Sequence, residues 1–127
     1  MIIYFAHSRD EKLDYYELYN IIKQNSVYKR HEIILPHDNK DSISKNSKEI
    51  IQKCDLFIAE VSFNSVGLGV EIGRAEMCEI PMLLLHKEGK LSSRSLKFVT
   101  DNIISYKSLE DFSNIIQTNI ENIERMV

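Results

Sequence analysis

Glu71 lies near the end of a stretch, Cys54 to Ala75 (CDLFIAEVSFNSVGLGVEIGRA), whose residue types and spacing suit chemistry on a bound anion. Asp55 to Val61 is a compact, β-branched apolar run and reads as a buried strand. Ser62 to Gly69 is a polar turn carrying Ser65, Gly67 and Gly69, and a helix is expected to begin at Val70. Small residues let a ligand approach the backbone. The free N–H groups and the dipole of a helix N-terminus favour negative charge there. In this reading Glu71 lies in the first helical turn, where the dipole helps hold it ionised. An ionised carboxylate therefore stands beside an anion pocket. Taken alone, Glu71 also fits an ordinary helix carboxylate, and Ser65 with its glycines fits plain turn chemistry.

The other reactive side chains point to less. His7, His37 and His86 fall near strand ends without ligand spacing, so no metal and no cofactor is expected. Cys54 and Cys78 have neither metal-site spacing nor the number of a disulfide framework, which fits reduced thiols in a cytoplasmic protein. Glu60, set between Ala59 and Val61, reads as a structural carboxylate bonded to loop amides. A net charge of −3 gives no basic footprint for a nucleic acid polymer, although single Lys and Arg residues can hold one phosphate. The apolar start Met1 to Ala6 is too short for an export signal, and no run reaches membrane-spanning length.

Positioning these groups requires a frame. Ile2 to Ala6, His31 to Pro36, Asp55 to Val61, Pro81 to His86 and Ile103 to Tyr106 are five strand candidates. Between them fall a helix from about Glu11 to Asn25, capped by Ser8 or Asp10, a polar loop over Asp38 to Lys45, and a helix ending near Lys53. Leu96 to Thr100 reads as a helical turn, and Leu109 to Arg125 as an amphipathic helix with Phe112, Ile116 and Ile120 on one side. Alternating apolar strands and helices over 127 residues predict a single α/β domain. Its sheet is expected to be flavodoxin-like or Rossmann-like, with five mainly parallel strands and helices on both faces. Ligands of such sheets lie beyond the carboxyl ends of the strands. That rule gathers Tyr4 to Arg9, His37, Ser62 to Glu71 and the loop Lys87 to Ser95.

Glu60-Val-Ser with Asn64-Ser-Val-Gly-Leu-Gly-Val-Glu-Ile-Gly-Arg-Ala75 resembles the signature of the nucleoside 2-deoxyribosyltransferase superfamily. The branch most similar is the 2′-deoxynucleoside 5′-monophosphate N-glycosidases. Tyr4-Phe-Ala-His-Ser8 is similar to that family's first strand and loop, and Gly89-Lys-Leu-Ser-Ser93 to a later serine-bearing loop, so the likeness spans nearly all of residues 1–127. The resemblance implies cleavage of the N-glycosidic bond of a small nucleoside or nucleotide by double displacement, ended by water or by a second base. It implies Glu71 as the nucleophile and Tyr4 beside it near the sugar. Ser65, Gly67 and Gly69 would hold the 5′-phosphate with Ser8 and Arg9, and Ser93 would reach it from the neighbouring subunit of a homodimer.

The chain departs from the family at three places. The family's leaving-group aspartate, 24 residues before the nucleophile, falls on Ser47, with Asp41, Glu49 and Glu60 as substitutes after a local shift. Asn64 replaces a proline and His7 a glycine. Ser47 keeps open an alternative, a nucleotide-binding or sensing module with weak or no turnover. Cleavage of NAD by a glutamate on a similar sheet is a third reading, which nothing in the sequence selects.

Overall fold

The computed structural model describes residues 1–38 and 47–126. Its frame is a five-stranded sheet in the order β2-β1-β3-β4-β5, with every pairing parallel. The strands are β1 (Ile2–His7), β2 (Glu32–Ile34), β3 (Leu56–Glu60), β4 (Met82–Lys87) and β5 (Ile103–Tyr106). The helices are α1 (Tyr15–Gln24), α2 (Ser47–Gln52), α3 (Val66–Met77) and α4 (Leu109–Arg125). This is the flavodoxin-like order, which places a crevice between β1 and β3 where the chain reverses its direction of strand addition.

Strand pleating divides the core. Ile3 and Phe5 of β1 face α1 and α4, packing with Leu18, Ile22, Phe112, Ile116 and Ile120. Tyr4 and Ala6 face the other way, toward Ile51 of α2 and Leu68, Ile72 and Ala75 of α3. The spacing Phe112, Ile116, Ile120 repeats every four residues and keeps one face of α4 on the sheet. Fully burying each such side chain contributes about 1.5–3 kcal/mol. Ser108 caps α4 by accepting from the Asp111 amide.

Three boundaries differ from those expected. First, α1 begins at Tyr15 rather than Glu11, because Asp14 is its N-cap and accepts from the Glu17 amide. Ser8 and Asp10 instead accept the amides of Asp10 and Lys12, so they shape the turn before the helix. Second, a 3₁₀ turn over Ser26–Arg30 follows α1, with the Asn25 side chain accepting from the Val27 amide. Third, α3 starts at Val66, because Ser65 is its N-cap and accepts from the Leu68 amide at 3.1 Å. Gly67 and Gly69 are thus helical residues, not turn residues. Glu71 is the sixth residue of α3 and lies beyond the first turn. Gly89, at φ 76°, is the position where the β4 turn needs a left-handed backbone. The expected loop from Asp38 to Lys45, Asp41 included, lies almost wholly outside the described residues.

Candidate active site

Glu71 lies deep enough to be shaped by its neighbours. The Tyr4 hydroxyl, reaching up from β1, donates to Glu71 Oε2. Tyr4 is itself 2 % exposed and its ring stacks on Phe57 of β3, so the phenol is fixed by core packing. Ser47, at the start of α2, is a second hydroxyl beside the carboxylate and favours its charged form. Arg74, one helical turn beyond Glu71, donates from Nη1 to Ser47 Oγ at 2.9 Å. Burial raises the Glu71 pKa above the ordinary carboxylate value, and Tyr4, Arg74 and Ser47 only partly offset that rise. The expectation that the helix dipole holds Glu71 ionised is therefore corrected. The dipole's influence falls off within the first turn, and burial sets the direction here. The Tyr4 phenol is held above its ordinary range, first by burial and then by the Glu71 charge.

Beside the carboxylate opens a cleft of about 530 Å³. Ser8, Arg9, Ser65, Gly67 and Glu71 all line it, so five of the expected residues come together. Ser8 Oγ accepts from the Asp10 amide at 2.9 Å and keeps its own proton for another acceptor. Arg9 is exposed and has no ion-pair partner among the described residues. The first amides of α3, at Val66 and Gly67, have no intrahelical acceptor. A Cβ placed on Gly67 would meet nothing within 4 Å, so the backbone there is open to a ligand. A cation, a hydroxyl and a helix N-terminus thus border the same space as a partly buried carboxylate, a setting for an anionic group in one cleft with a nucleophile.

Three expected residues are not in the cleft lining: Tyr4, which reaches Glu71 from the core, Gly69 and Ser93. Gly69 lies within the helix, its amide bonded to the Ser65 carbonyl. Ser93 caps a 3₁₀ turn over Arg94–Phe98 and accepts from the Ser95 amide, away from Glu71. Glu60 is wholly buried, with Oε1 accepting from the Ser62 amide at 2.6 Å and Oε2 accepting from the hydroxyls of Ser62 and Tyr106. Its oxygens are used in joining β3 to β5, which removes it as a substitute acid. Glu49 faces solvent in the first turn of α2, and Asp41 lies outside the described residues.

Sequence reasoning gathered His7 and His37, the far wall of the cleft, at this end of the sheet without giving them a role, and it missed Tyr15 and Tyr19 behind them. His7 and His37 line the cleft, and Tyr15 stacks on the His7 ring with centroids 4.6 Å apart. Tyr19 accepts the His37 amide proton at 3.0 Å and turns its own hydroxyl proton to His7 Nε2 at 2.6 Å. His7 Nδ1–H then donates to the Ser8 carbonyl. Both ring nitrogens are satisfied in the neutral form, and burial lowers the pKa to about 4. The strand-end position of His7 and the spacing Tyr15 to Tyr19, one helical turn, were the available signals. A second cleft, of about 560 Å³, lies between α1 and the start of α4, lined by Lys12, Lys87, Lys90 and Lys107. Its carboxylates are all exposed and of mixed company with those lysines, unlike Glu71.

No family model matches the chain, and no curated protein matches it closely enough to count as a relative. Solved structures do. The CMP N-glycosidase BcmB of Clostridium botulinum superposes with a TM-score of 0.63 at 21 % identity, over 92 % of this chain and 99 % of that one. A conserved protein from Enterococcus faecalis gives 0.62 at 19 % identity, over 94 % and 98 %. The 2-deoxyribosyltransferase of Bacillus psychrosaccharolyticus gives 0.62 at 17 % identity, over 90 % and 91 %. These likenesses establish an α/β fold shared with nucleoside-processing enzymes, whole chain against whole chain.

Proposed function

We propose that the chain cleaves the N-glycosidic bond of a small nucleoside 5′-monophosphate, with Glu71 as the nucleophile. The observation that carries this is the Tyr4–Glu71 hydrogen bond at the edge of a cleft whose other border holds Arg9, Ser8 and the α3 N-terminus. A phosphate held by the amides at Val66 and Gly67, by Ser65 and by Arg9 sets the sugar across the cleft with C1′ toward Glu71. The carboxylate attacks C1′ as the base departs, Tyr4 steadies its unreacting oxygen, and water or a second base resolves the ester. That two structurally similar enzymes are a CMP N-glycosidase and a 2-deoxyribosyltransferase supports the same class of substrate. Gly69 serves in this account by keeping the α3 surface small.

Ser93 belongs to this site only if a second copy presents it, so a homodimer is part of the proposal. A cytoplasmic setting agrees with two free thiols, Cys54 and Cys78, and with no helix among the described residues long and apolar enough to cross a membrane. The test is incubation of the protein with a panel of ribo- and deoxyribonucleoside monophosphates, a pyridinium ribonucleotide included, with free base read by mass spectrometry. Release from at least one, abolished by Glu71→Gln, is expected; inertness of a folded protein across the panel defeats it. A second reading, binding without turnover, is favoured by the Arg74–Ser47 hydrogen bond, which fills the flank of Glu71 with a hydroxyl and a guanidinium. Tight nucleotide binding unchanged by Glu71→Gln, with no product, would select it.

A further inference from the structure

Departure of a purine or pyrimidine normally needs a proton on the leaving base, and the described residues around Glu71 offer poor sources of one. The Tyr4 hydroxyl is engaged with Glu71, and burial binds its proton more tightly. Ser47 is a hydroxyl that receives the Arg74 N–H, and guanidinium groups such as Arg74 and Arg9 do not deprotonate in proteins. The far wall adds nothing acidic. His7 holds its single ring proton against the Ser8 carbonyl, and burial keeps His37 on the neutral side as well. Asp10, also on the cleft, uses Oδ1 to accept the Lys12 amide at 2.8 Å. The same wall carries the neutral imidazole rings of His7 and His37, and aromatic faces accept a flat cationic ring.

We propose that this site is specific for N-glycosides whose base leaves without being protonated, the class represented by pyridinium ribonucleoside 5′-phosphates. The inference rests on the glycosidic reading above and narrows its substrate. As the C1′–N bond breaks, its electron pair passes to the ring nitrogen, and the cationic pyridinium leaves as a neutral pyridine. Glu71 Oε supplies the new C1′–O bond. Water then attacks C1′, the ester electron pair returns to the Glu71 carboxylate, and the water's proton goes to solvent. No step needs a side-chain acid.

The experiment compares kcat/KM for nicotinamide mononucleotide with that for CMP and dCMP on the same preparation, across pH. The expected ratio is ~10² or more in favour of the pyridinium substrate, the lower end of what a general acid contributes. Its rate is expected to stay flat on the basic side of neutrality, since the step draws on no side-chain acid. Ser47→Asp, which puts a carboxyl on the flank of Glu71, is expected to narrow the ratio by raising the CMP rate. CMP or dCMP cleaved as fast as the pyridinium compound overturns the inference and leaves the glycosidase reading standing. A basic limb in the pyridinium profile also overturns it. Failure to cleave any of the three, by protein shown to be folded, overturns both.

Discussion

At Glu71 two demands conflict. A nucleophile must be ionised, yet burial pushes this carboxyl upward, and only Tyr4, Ser47 and Arg74 hold the charge in place. Tyr4→Phe removes the hydroxyl that donates to Oε2, so the acid limb of the rate profile is expected to move to higher pH. The rate on the plateau should fall ~10–100-fold, the value of a hydrogen bond to a charged group. A limb that stays put would show that the bond does not act on the carboxylate. Glu71→Gln, measured by urea unfolding at pH 7, is expected to be more stable than the parent. A carboxyl with a raised folded pKa contributes stability below its unfolded pKa and loses it as pH rises through the folded value. His7 has the opposite sign. Its folded pKa of about 4 lies below the ordinary 6.5, so the folded state binds fewer protons across that window. The contribution is full above about pH 6.5 and is lost as pH falls toward 4, a change of about 3 kcal/mol. Unfolding measurements of the parent and His7→Gln across that window should diverge most at the basic end.

Among the elements, α3 is the one on which the site depends. Ser65 was legible from sequence as a residue of the cleft, but its role as the N-cap was hidden by the glycines that follow it. Gly67 and Gly69 lower helix propensity enough that the first turn of α3 looks like a loop. The helix forms there because Leu68 and Ile72 pack into the core beneath it, and tertiary burial outweighs propensity. A four-residue difference in one boundary moved Glu71 from the first turn to the second, out of the dipole's reach, and burial then set its pKa upward. Of the outer wall, His7 and His37 were legible as strand-end residues, but Tyr15 and Tyr19 were not, because only the folded chain brings that face of α1 against them. Glu60 was read correctly as structural, since a carboxylate inside an apolar strand must find donors. Burial, and then Glu60, hold the Tyr106 phenol above its ordinary range, consistent with that donor role. Tyr106→Phe withdraws one donor from a wholly buried carboxylate, and urea unfolding is expected to register a loss of about 1–3 kcal/mol. A neutral result would mean that the remaining Ser62 contacts suffice.

At the scale of the whole molecule, the parallel order β2-β1-β3-β4-β5 sets the crevice above β1 and β3, and the two strands bring Tyr4 and Glu71's helix to it. This much was readable from alternating apolar runs, because strands covered on both faces leave few parallel topologies. What lies beyond one chain was not: Ser93 stands off the cleft, and its expected role depends on a second copy. Light scattering on the eluting protein is expected to give twice the chain mass, and a monomer would take Ser93 out of the site. The core itself should be unforgiving. Phe112, fully buried and edge-on to Phe5 and Tyr106, is expected to cost about 3–5 kcal/mol as Phe112→Ala. The central claim, however, concerns one bond. Trapping the glycosyl-enzyme by rapid acid quench and locating the adduct by peptide mass spectrometry tests it most directly. A sugar phosphate esterified to Glu71 is the predicted result; base released with no adduct on Glu71, or an adduct on another side chain, would contradict it.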